Sequence, residues 1–161
     1  MSSETQTQEE EAREKLIDLA SEFYDQFAEG DVPTMAIPTR TKSNIEYDED
    51  KSVWVYGDRK STRSAKTVSG AEKLLKATYA IEFLAKQLAE DRSSTLRELY
   101  YLSESWDLEE AQFNSQDESN DLIEDLEIVS DVTREDFHMR PEESGATIMG
   151  PLQLREQTRR G

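Results

Sequence analysis

The order of three helical segments constrains the fold of this chain more than any other feature. Apolar residues recur with helical spacing over about residues 69–90, which predicts a long helix. Thr95 followed three residues later by Glu98 forms a capping box, which predicts a short helix that ends near Glu104. Helical spacing returns over about residues 118–129. The second half of the chain is therefore expected to be mainly α-helical.

A strand-like pattern follows the third helix. Residues 136–154 are predicted to form two strands around the turn PEESG. Three helices followed by a β-hairpin are the order of a winged helix-turn-helix, whose third helix usually lies in the major groove of DNA. The predicted fold class is thus mainly α with small β-hairpins, a winged helix-turn-helix. The third helix is acidic, however (DESNDLIEDLEIVSD), which is unusual for a helix that reads bases.

The N-terminal half predicts one further helix and one hairpin. The helix covers about residues 9–29 and ends at Gly30. Two short strands, over about 45–47 and 53–56, are joined by an acidic turn, and the alternation of Trp54 and Tyr56 in the second strand favours core positions for both. With no internal repeat, we expect one domain over residues 11–155, preceded by a disordered acidic segment at 1–10.

Charge is unusually high and unevenly distributed. The 161 residues carry 19 basic and 36 acidic side chains, a net charge of −17. Taken alone, this value argues against nucleic-acid binding, because phosphates would be repelled. An acidic surface also suits a cytoplasm at molar salt, where the Debye length is only about 3 Å. We favour a halophilic source, in which case local charge is more informative than net charge.

Two blocks of the chain keep a positive balance. Residues 33–86 carry 10 basic and 7 acidic side chains, and residues 137–161 carry 4 and 3, whereas residues 87–136 between them carry 3 and 16. The densest basic run is DRKSTRSAK. It is interpreted either as a solvated loop or as a patch that follows DNA phosphates. The candidate DNA-binding residues are Arg59, Lys60, Arg63 and Lys66.

Other features of the sequence indicate the cellular compartment of the protein. The chain has no cysteine, which excludes disulfides and thiolate metal sites and fits a reducing compartment. The start, MSSETQTQEEEAREK, has no basic segment followed by an apolar run, and no apolar stretch is long enough to span a membrane. We therefore expect a soluble, cytoplasmic protein.

The short helix carries the tyrosine pair of STLRELYYLSE on two different faces. Leu99, Tyr100 and Ser103 fall on the face expected to pack against the long helix, whereas Tyr101 falls outside it, with Arg97 four residues before it. A phenol in water, with a pKa of about 10, is a poor nucleophile, but a nearby guanidinium favours the phenolate and can also hold a phosphate oxygen. Such pairs are more often structural than catalytic, so spacing alone leaves both interpretations open.

The sequence resembles a known family at these residues. STLRELYYLSE, together with IPTRTKSNIEYDEDKSVWVYGD and the closing SGATIMGPLQL, is similar to the N-terminal part of the DNA-cleaving A subunit of the topoisomerase VI family, the archaeal type IIB DNA topoisomerases. The resemblance covers about residues 10–155 and implies that Tyr101 is the nucleophile and Arg97 an active-site arginine. The expected activity is DNA cleavage by transesterification, which gives a 5′-phosphotyrosyl double-strand break, followed by strand passage and religation.

The resemblance also implies partners and cofactors. A Toprim domain that binds Mg²⁺ would follow, with residues 156–161 as the start of a linker to it. ATP would be bound by the B subunit of topoisomerase VI, a GHKL-type ATPase, in an A₂B₂ assembly with double-stranded DNA as substrate. This chain alone is expected to be inactive. The alternatives are a winged-helix regulator or interaction module without chemistry, and an acidic DNA mimic, which the basic run at 59–66 disfavours.

Overall fold

The computed structural model describes residues 3–50 and 52–140. Within these ranges the predicted helices in the second half of the chain are present, and a longer helix precedes them. The α-helices are α1 (Ser3–Ala28), α2 (Val68–Ala89), α3 (Leu96–Ser103) and α4 (Gln116–Ser130). Within the described ranges, every helix is too short or too polar to cross a lipid bilayer.

The described strands form three two-stranded sheets. They are β1 (Thr34–Pro38), β2 (Ile45–Asp48), β3 (Val53–Tyr56), β4 (Lys60–Ser64), β5 (Ser94–Thr95) and β6 (Met139–Arg140). The pairs β1–β4 and β2–β3 are antiparallel, and β5–β6 is parallel. The described residues are thus rich in helix with small sheets, which is compatible with the predicted mainly α domain with β-hairpins.

Local sequence explains where the helices begin and end. The Thr67 side chain accepts a hydrogen bond from the backbone N–H of Gly70 at the start of α2, and Ser115 does the same for Glu118 in α4. Helix α4 ends at Asp131, which adopts a left-handed conformation with φ of +52°. The predicted boundaries of α2 and α4 agree with the structure to within about two residues.

The first helix begins earlier than expected. Residues 3–10, predicted as part of a disordered acidic segment, lie in α1, which starts at Ser3 and not near Glu9. Glutamate, glutamine and alanine favour helices, so the polar composition of this segment does not oppose helix formation. The polar run was thus a poor indicator of disorder here.

Two predictions in the N-terminal half require correction. The basic run, one interpretation of which was a solvated loop, contains strand β4, whose Lys60 lies opposite Pro38 and whose Ser64 lies opposite Thr34. The predicted hairpin β2–β3 is present, but Trp54 is 71% exposed and Tyr56 41% exposed, so neither is a core residue. The alternation was real, but a two-stranded sheet without a covering layer leaves both faces in solvent.

The core lies between the helices and sheet β1–β4. Helix α1 packs against α2 and α4, and α4 also packs against α3 and β1. The buried side chains that close this core are mostly aliphatic: Leu16, Leu19, Met35, Ile37, Ala77, Ile81, Leu84, Leu99, Ile123, Leu126, Phe137 and Met139. The short helix α3 is thereby anchored through one face, which fixes the orientation of its other face.

The predicted C-terminal hairpin is described only at its start. Strand β6 lies in its first half and pairs with β5, with Ser94 opposite Met139 and Thr95 opposite Arg140. The turn PEESG and the predicted second strand lie outside the described residues, as do residues 156–161.

Candidate active site

Helix α3 starts at a complete capping box. The Thr95 side chain accepts from the backbone N–H of Glu98 at 3.1 Å, and the Glu98 carboxylate accepts from the backbone N–H of Thr95 at 2.6 Å. These bonds satisfy two groups that a helix start would otherwise leave unpaired. The box fixes the first turn of α3 directly before Arg97, so the helix begins where the sequence predicted.

The two tyrosines occupy the faces that the sequence predicted. Leu99 and Ser103 are fully buried, and Tyr100 is half-buried and packs against the core. Tyr101 is 58% exposed, and its ring centroid lies 5.3 Å from that of Tyr100. The face assignment is confirmed, and Tyr101 is the member of the pair whose phenol solvent and a ligand can reach.

Arg97 lies one helical turn before Tyr101 and is exposed. Residues four apart on a helix are neighbours, so a guanidinium and a phenol are displayed on the same side of α3. A fixed cation at this place can bind a phosphate oxygen without taking up or releasing a proton. The two residues predicted to carry chemistry are therefore one turn apart on a single helix.

A cavity of about 540 Å³ opens beside Tyr101. Its wall consists of the end of α2, the loop before β5 and one side of α3. Phe83 and Leu102 supply apolar surface, whereas Arg92 faces the same space. The carboxylate of Glu98 also lines it but is engaged in the capping box. The exposed tyrosine thus stands at the edge of a concave surface large enough for part of a DNA strand.

His138, to which no role was assigned from sequence, ties α1 to this region. Its Nε2 lies 3.0 Å from a Glu9 carboxylate oxygen, and its Nδ1 lies 3.0 Å from the Arg92 carbonyl oxygen. Burial by itself lowers the pKa of His138, but the hydrogen bonds to Glu9 and Arg92 and the charge of Glu9 outweigh it, so the pKa is raised above its ordinary value. The contact holds the loop before β5 against the start of α1.

The structure divides the four predicted DNA-binding residues. Lys60 and Lys66 are exposed, and the exposed Arg59 donates to the Ser43 hydroxyl at 3.1 Å. Arg63 is only half-exposed, because its guanidinium lies 3.3 Å from a carboxylate oxygen of Asp125 in α4. Three of the four side chains therefore present charge to solvent, and the fourth is held by an internal ion pair.

The acidic helix α4 is neutralised in part by an arginine that sequence reasoning missed. Arg40 follows β1 and pairs with Glu124 at 2.6 Å and with Asp125, and it also donates to the Asp121 carbonyl oxygen at 3.2 Å. Asp125 is buried between Arg40 and Arg63. This part of α4 therefore faces sheet β1–β4, which gives its unusual acidity a structural explanation. The acidic spacing of α4 and the basic residues after β1 were both visible, but not their pairing.

A second internal ion pair was also missed. Lys76 is buried in α2, and its ammonium lies 2.7 Å from a carboxylate oxygen of Glu118. Burial alone would raise the pKa of Glu118, but the hydrogen bonds from Lys76 and from Asn114 lower it below its ordinary value. The pair fixes the start of α4 against α2, which supports the core beneath α3.

Potential metal ligands do not cluster in the described part of the chain. Residues 3–50 and 52–140 bring together no group of three or more histidine or acidic side chains that could hold a metal ion. The magnesium that the resemblance implies therefore has no ligand set among these residues. It was expected from a Toprim domain and not from this part of the protein.

Comparison with known proteins shows which proteins this chain is similar to. Residues 72–139, which run from α2 to β6 and include Arg97 and Tyr101, match the family model of type IIB DNA topoisomerase. The chain is 80% identical over 159 residues, 99% of its length, to the A subunit of type 2 DNA topoisomerase 6 from Haloarcula marismortui and also to that from Natronomonas pharaonis. It is 59% identical over 151 residues to the A subunit from Methanosarcina mazei.

These comparisons confirm the resemblance to the A subunit of topoisomerase VI. The chain spans 43% of the length of the first two relatives and 40% of the third. Relatives from Haloarcula, Natronomonas and Halobacterium also support the halophilic source inferred from the acidic composition and the archaeal source that the resemblance implies.

Proposed function

We propose that this chain forms the DNA-cleaving part of the A subunit of a type IIB topoisomerase, with Tyr101 as the nucleophile. The observation that carries the proposal is the exposure of Tyr101 beside Arg97 on a helix whose opposite face is buried. The match to the type IIB family over residues 72–139 supports it, because both residues lie within that match. DNA is the substrate on this proposal, and relaxation of supercoils the overall activity.

The chemistry at Tyr101 is a transesterification. The phenol loses its proton to solvent or a nearby base, and its oxygen attacks a backbone phosphorus. A new P–O bond forms to Tyr101 while the bond to the 3′ oxygen breaks, and that oxygen takes up a proton as a 3′ hydroxyl. The DNA end is then linked through its 5′ phosphate. Because one ester replaces another, the reverse attack by the 3′ hydroxyl reseals the strand.

Arg97 contributes a fixed positive charge next to the attacking oxygen. Its guanidinium binds a non-bridging phosphate oxygen and stabilises the charge that builds there during attack. Tyr100 contributes its ring, which packs between α3 and the core and holds the helix in place. A bound Mg²⁺ in the complete protein would supply further charge neutralisation at the phosphate.

The winged helix-turn-helix is part of the same proposal. Helices α2, α3 and α4 followed by strand β6 have the order of that fold, and the pairing of β6 with β5 supports a wing beside α3. The partners are an ATPase subunit that binds ATP and a second copy of the DNA-cleaving subunit in an A₂B₂ assembly. Two copies are required because two tyrosines must cut opposite strands.

Trapping of covalent protein–DNA adducts with denaturant tests the proposal. The protein is the full-length DNA-cleaving subunit that contains this chain, reconstituted with its ATPase partner, Mg²⁺ and ATP. Tyr101→Phe is expected to abolish the adduct while DNA binding is retained, and Tyr100→Phe to keep much of the activity. Arg97→Ala is expected to slow cleavage by about 10²-fold, the scale for losing one preorganised donor. An adduct that survives Tyr101→Phe but disappears with Tyr100→Phe would overturn the assignment of the nucleophile, whereas the absence of any adduct in the wild type would favour a non-catalytic winged-helix module.

A further inference from the structure

Basic residues are scarce around α3, which makes their positions informative. Residues 87–136 contain only three basic side chains against 16 acidic ones: Arg92, Arg97 and Arg134. Arg134 is bound to Glu127 through contacts of 2.8 and 3.2 Å, an internal role. The other two lie next to Tyr101, Arg97 on the same helix and Arg92 across the adjoining cavity. Two of the three basic residues in the most acidic block of the chain therefore lie near Tyr101.

The backbone of Arg92 is held firmly, whereas its side chain extends into solvent. The Arg92 N–H donates to the Gln87 carbonyl oxygen at 2.9 Å, and its own carbonyl oxygen lies 3.0 Å from Nδ1 of His138. The side chain is 63% exposed and pairs with Glu90 at 3.1 Å. Because this ion pair is exposed, a phosphate can replace the Glu90 carboxylate at little cost.

Arg140 extends this line of positive charge. It is exposed on β6, which pairs in parallel with β5, so that Arg140 lies opposite Thr95, two residues before Arg97. A second cavity, of about 330 Å³, is lined by both Arg92 and Arg140. Acidic groups also line it: Glu9, which is bound to His138, and Asp91 and Glu135. Arg92 thus lines both cavities, the one beside Tyr101 and the one that Arg140 lines.

We propose that Arg92 and Arg140 form a second phosphate-binding pair, which holds the DNA backbone next to the cavity that Tyr101 lines. This inference rests on the proposed function, because it gives the substrate of the same site a path across the protein surface. The ligand is the phosphodiester backbone of duplex DNA, which the two guanidinium groups contact without reading bases. They are DNA-binding residues whose effect on cleavage comes from positioning the strand.

The test is adduct formation by reconstituted full-length enzyme as a function of DNA and KCl concentration. The variants are Arg92→Gln, Arg140→Gln and the double change, with Arg92→Lys and Arg140→Lys as charge-conserving variants. Arg13→Gln is the matched control, since Arg13 is an exposed arginine on α1 that lines neither cavity. Each variant is compared with the wild type only at KCl concentrations at which its circular dichroism spectrum matches that of the wild type. Where a glutamine variant does not meet this criterion, the alanine variant at that position takes its place and is compared with the lysine variant.

The expected result is a higher half-saturating DNA concentration with an unchanged maximal amount of adduct. The slope of log affinity against log KCl should fall by about 0.9 for each arginine lost, and lysine should restore most of it. Glutamine variants that behave like Arg13→Gln, while wild-type adduct still depends on Tyr101, would overturn this inference alone. Absence of any Tyr101-dependent adduct in the wild type would instead overturn the proposed function and this inference with it.

Discussion

Truncation of Leu99 gives the sharpest test of how α3 is held. Leu99 is fully buried on the face of α3 that packs into the core. Leu99→Ala removes the side-chain carbons beyond Cβ, worth about 0.8 kcal/mol each in lost burial, and leaves a cavity that the surrounding helices cannot fill completely. We therefore expect a loss in the free energy of unfolding of about 3–5 kcal/mol, in the upper part of the usual range.

The matched comparison uses the two tyrosines that follow. Tyr100→Ala should cost about 2–3 kcal/mol, less than Leu99→Ala, because Tyr100 is only half-buried. Tyr101→Phe removes a hydroxyl from a side chain that is 58% exposed, and its effect should stay within about 0.5 kcal/mol. The three variants thus form a graded series from the buried to the exposed face of one short helix.

Urea denaturation at constant KCl, followed by circular dichroism, measures this series. Urea is preferred to guanidinium chloride because it leaves ionic strength unchanged, which matters for a chain with a net charge of −17. If Tyr101→Phe destabilised the protein as much as Leu99→Ala, the phenol would be part of the core. The argument that Tyr101 is available as a nucleophile would then fail.

Three further predictions concern charge. Asp125→Asn leaves Arg40 and Arg63 without their shared carboxylate and should lower the free energy of unfolding by about 1–3 kcal/mol, which is less than for a fully buried pair because both arginines are partly exposed. An unchanged urea midpoint would show that this cluster does not stabilise the protein. Because the pKa of His138 is raised in the folded protein, the stabilisation by Glu9 is fully present below the unfolded-state pKa of about 6.5 and is lost as pH rises through the folded-state pKa. His138→Gln should therefore flatten the fall in melting temperature above neutrality, and identical pH profiles of the two proteins would contradict this. Changing Arg59, Lys60, Arg63 and Lys66 to glutamine should weaken duplex binding by the full-length protein about equally on all sequences and should lower the dependence of affinity on salt. The double variant of Lys60 and Lys66 is the control that leaves Asp125 paired, and unchanged binding would remove this patch from the interface.

The local features of the fold could be predicted because they depend on residues close in sequence. The capping box of Thr95 and Glu98 acts within a single turn, and the helical spacing of Leu99, Tyr100 and Ser103 defines one face whatever that face contacts. The exposure of Tyr101 followed directly from that spacing. The hairpin β2–β3 was equally local, since an acidic turn joins two short strands.

The same reasoning failed where burial depends on distant partners. Alternation in β3 suggested that Trp54 and Tyr56 were core residues, but alternation indicates only that successive side chains point to opposite faces. Whether either face is covered depends on which element packs there. Likewise, the polar composition of residues 3–10 suggested disorder, although the same residues are compatible with the first turns of α1.

The sequence by itself determined the helices in the second half of the chain, the start of α3 and the display of Arg97 and Tyr101 on its open side, because helical periodicity and capping act over a few residues. Only the tertiary structure decided what surrounds them. Arg40 contacts Asp125 across 85 residues of sequence, and Ser94 of β5 pairs with Met139 of β6 across 45 residues. Such contacts form only when distant segments fold together around one core, so a short stretch of sequence does not predict them. For that reason the position of Arg92, between the cavity beside Tyr101 and the cavity that Arg140 lines, emerged from the fold and not from the motif.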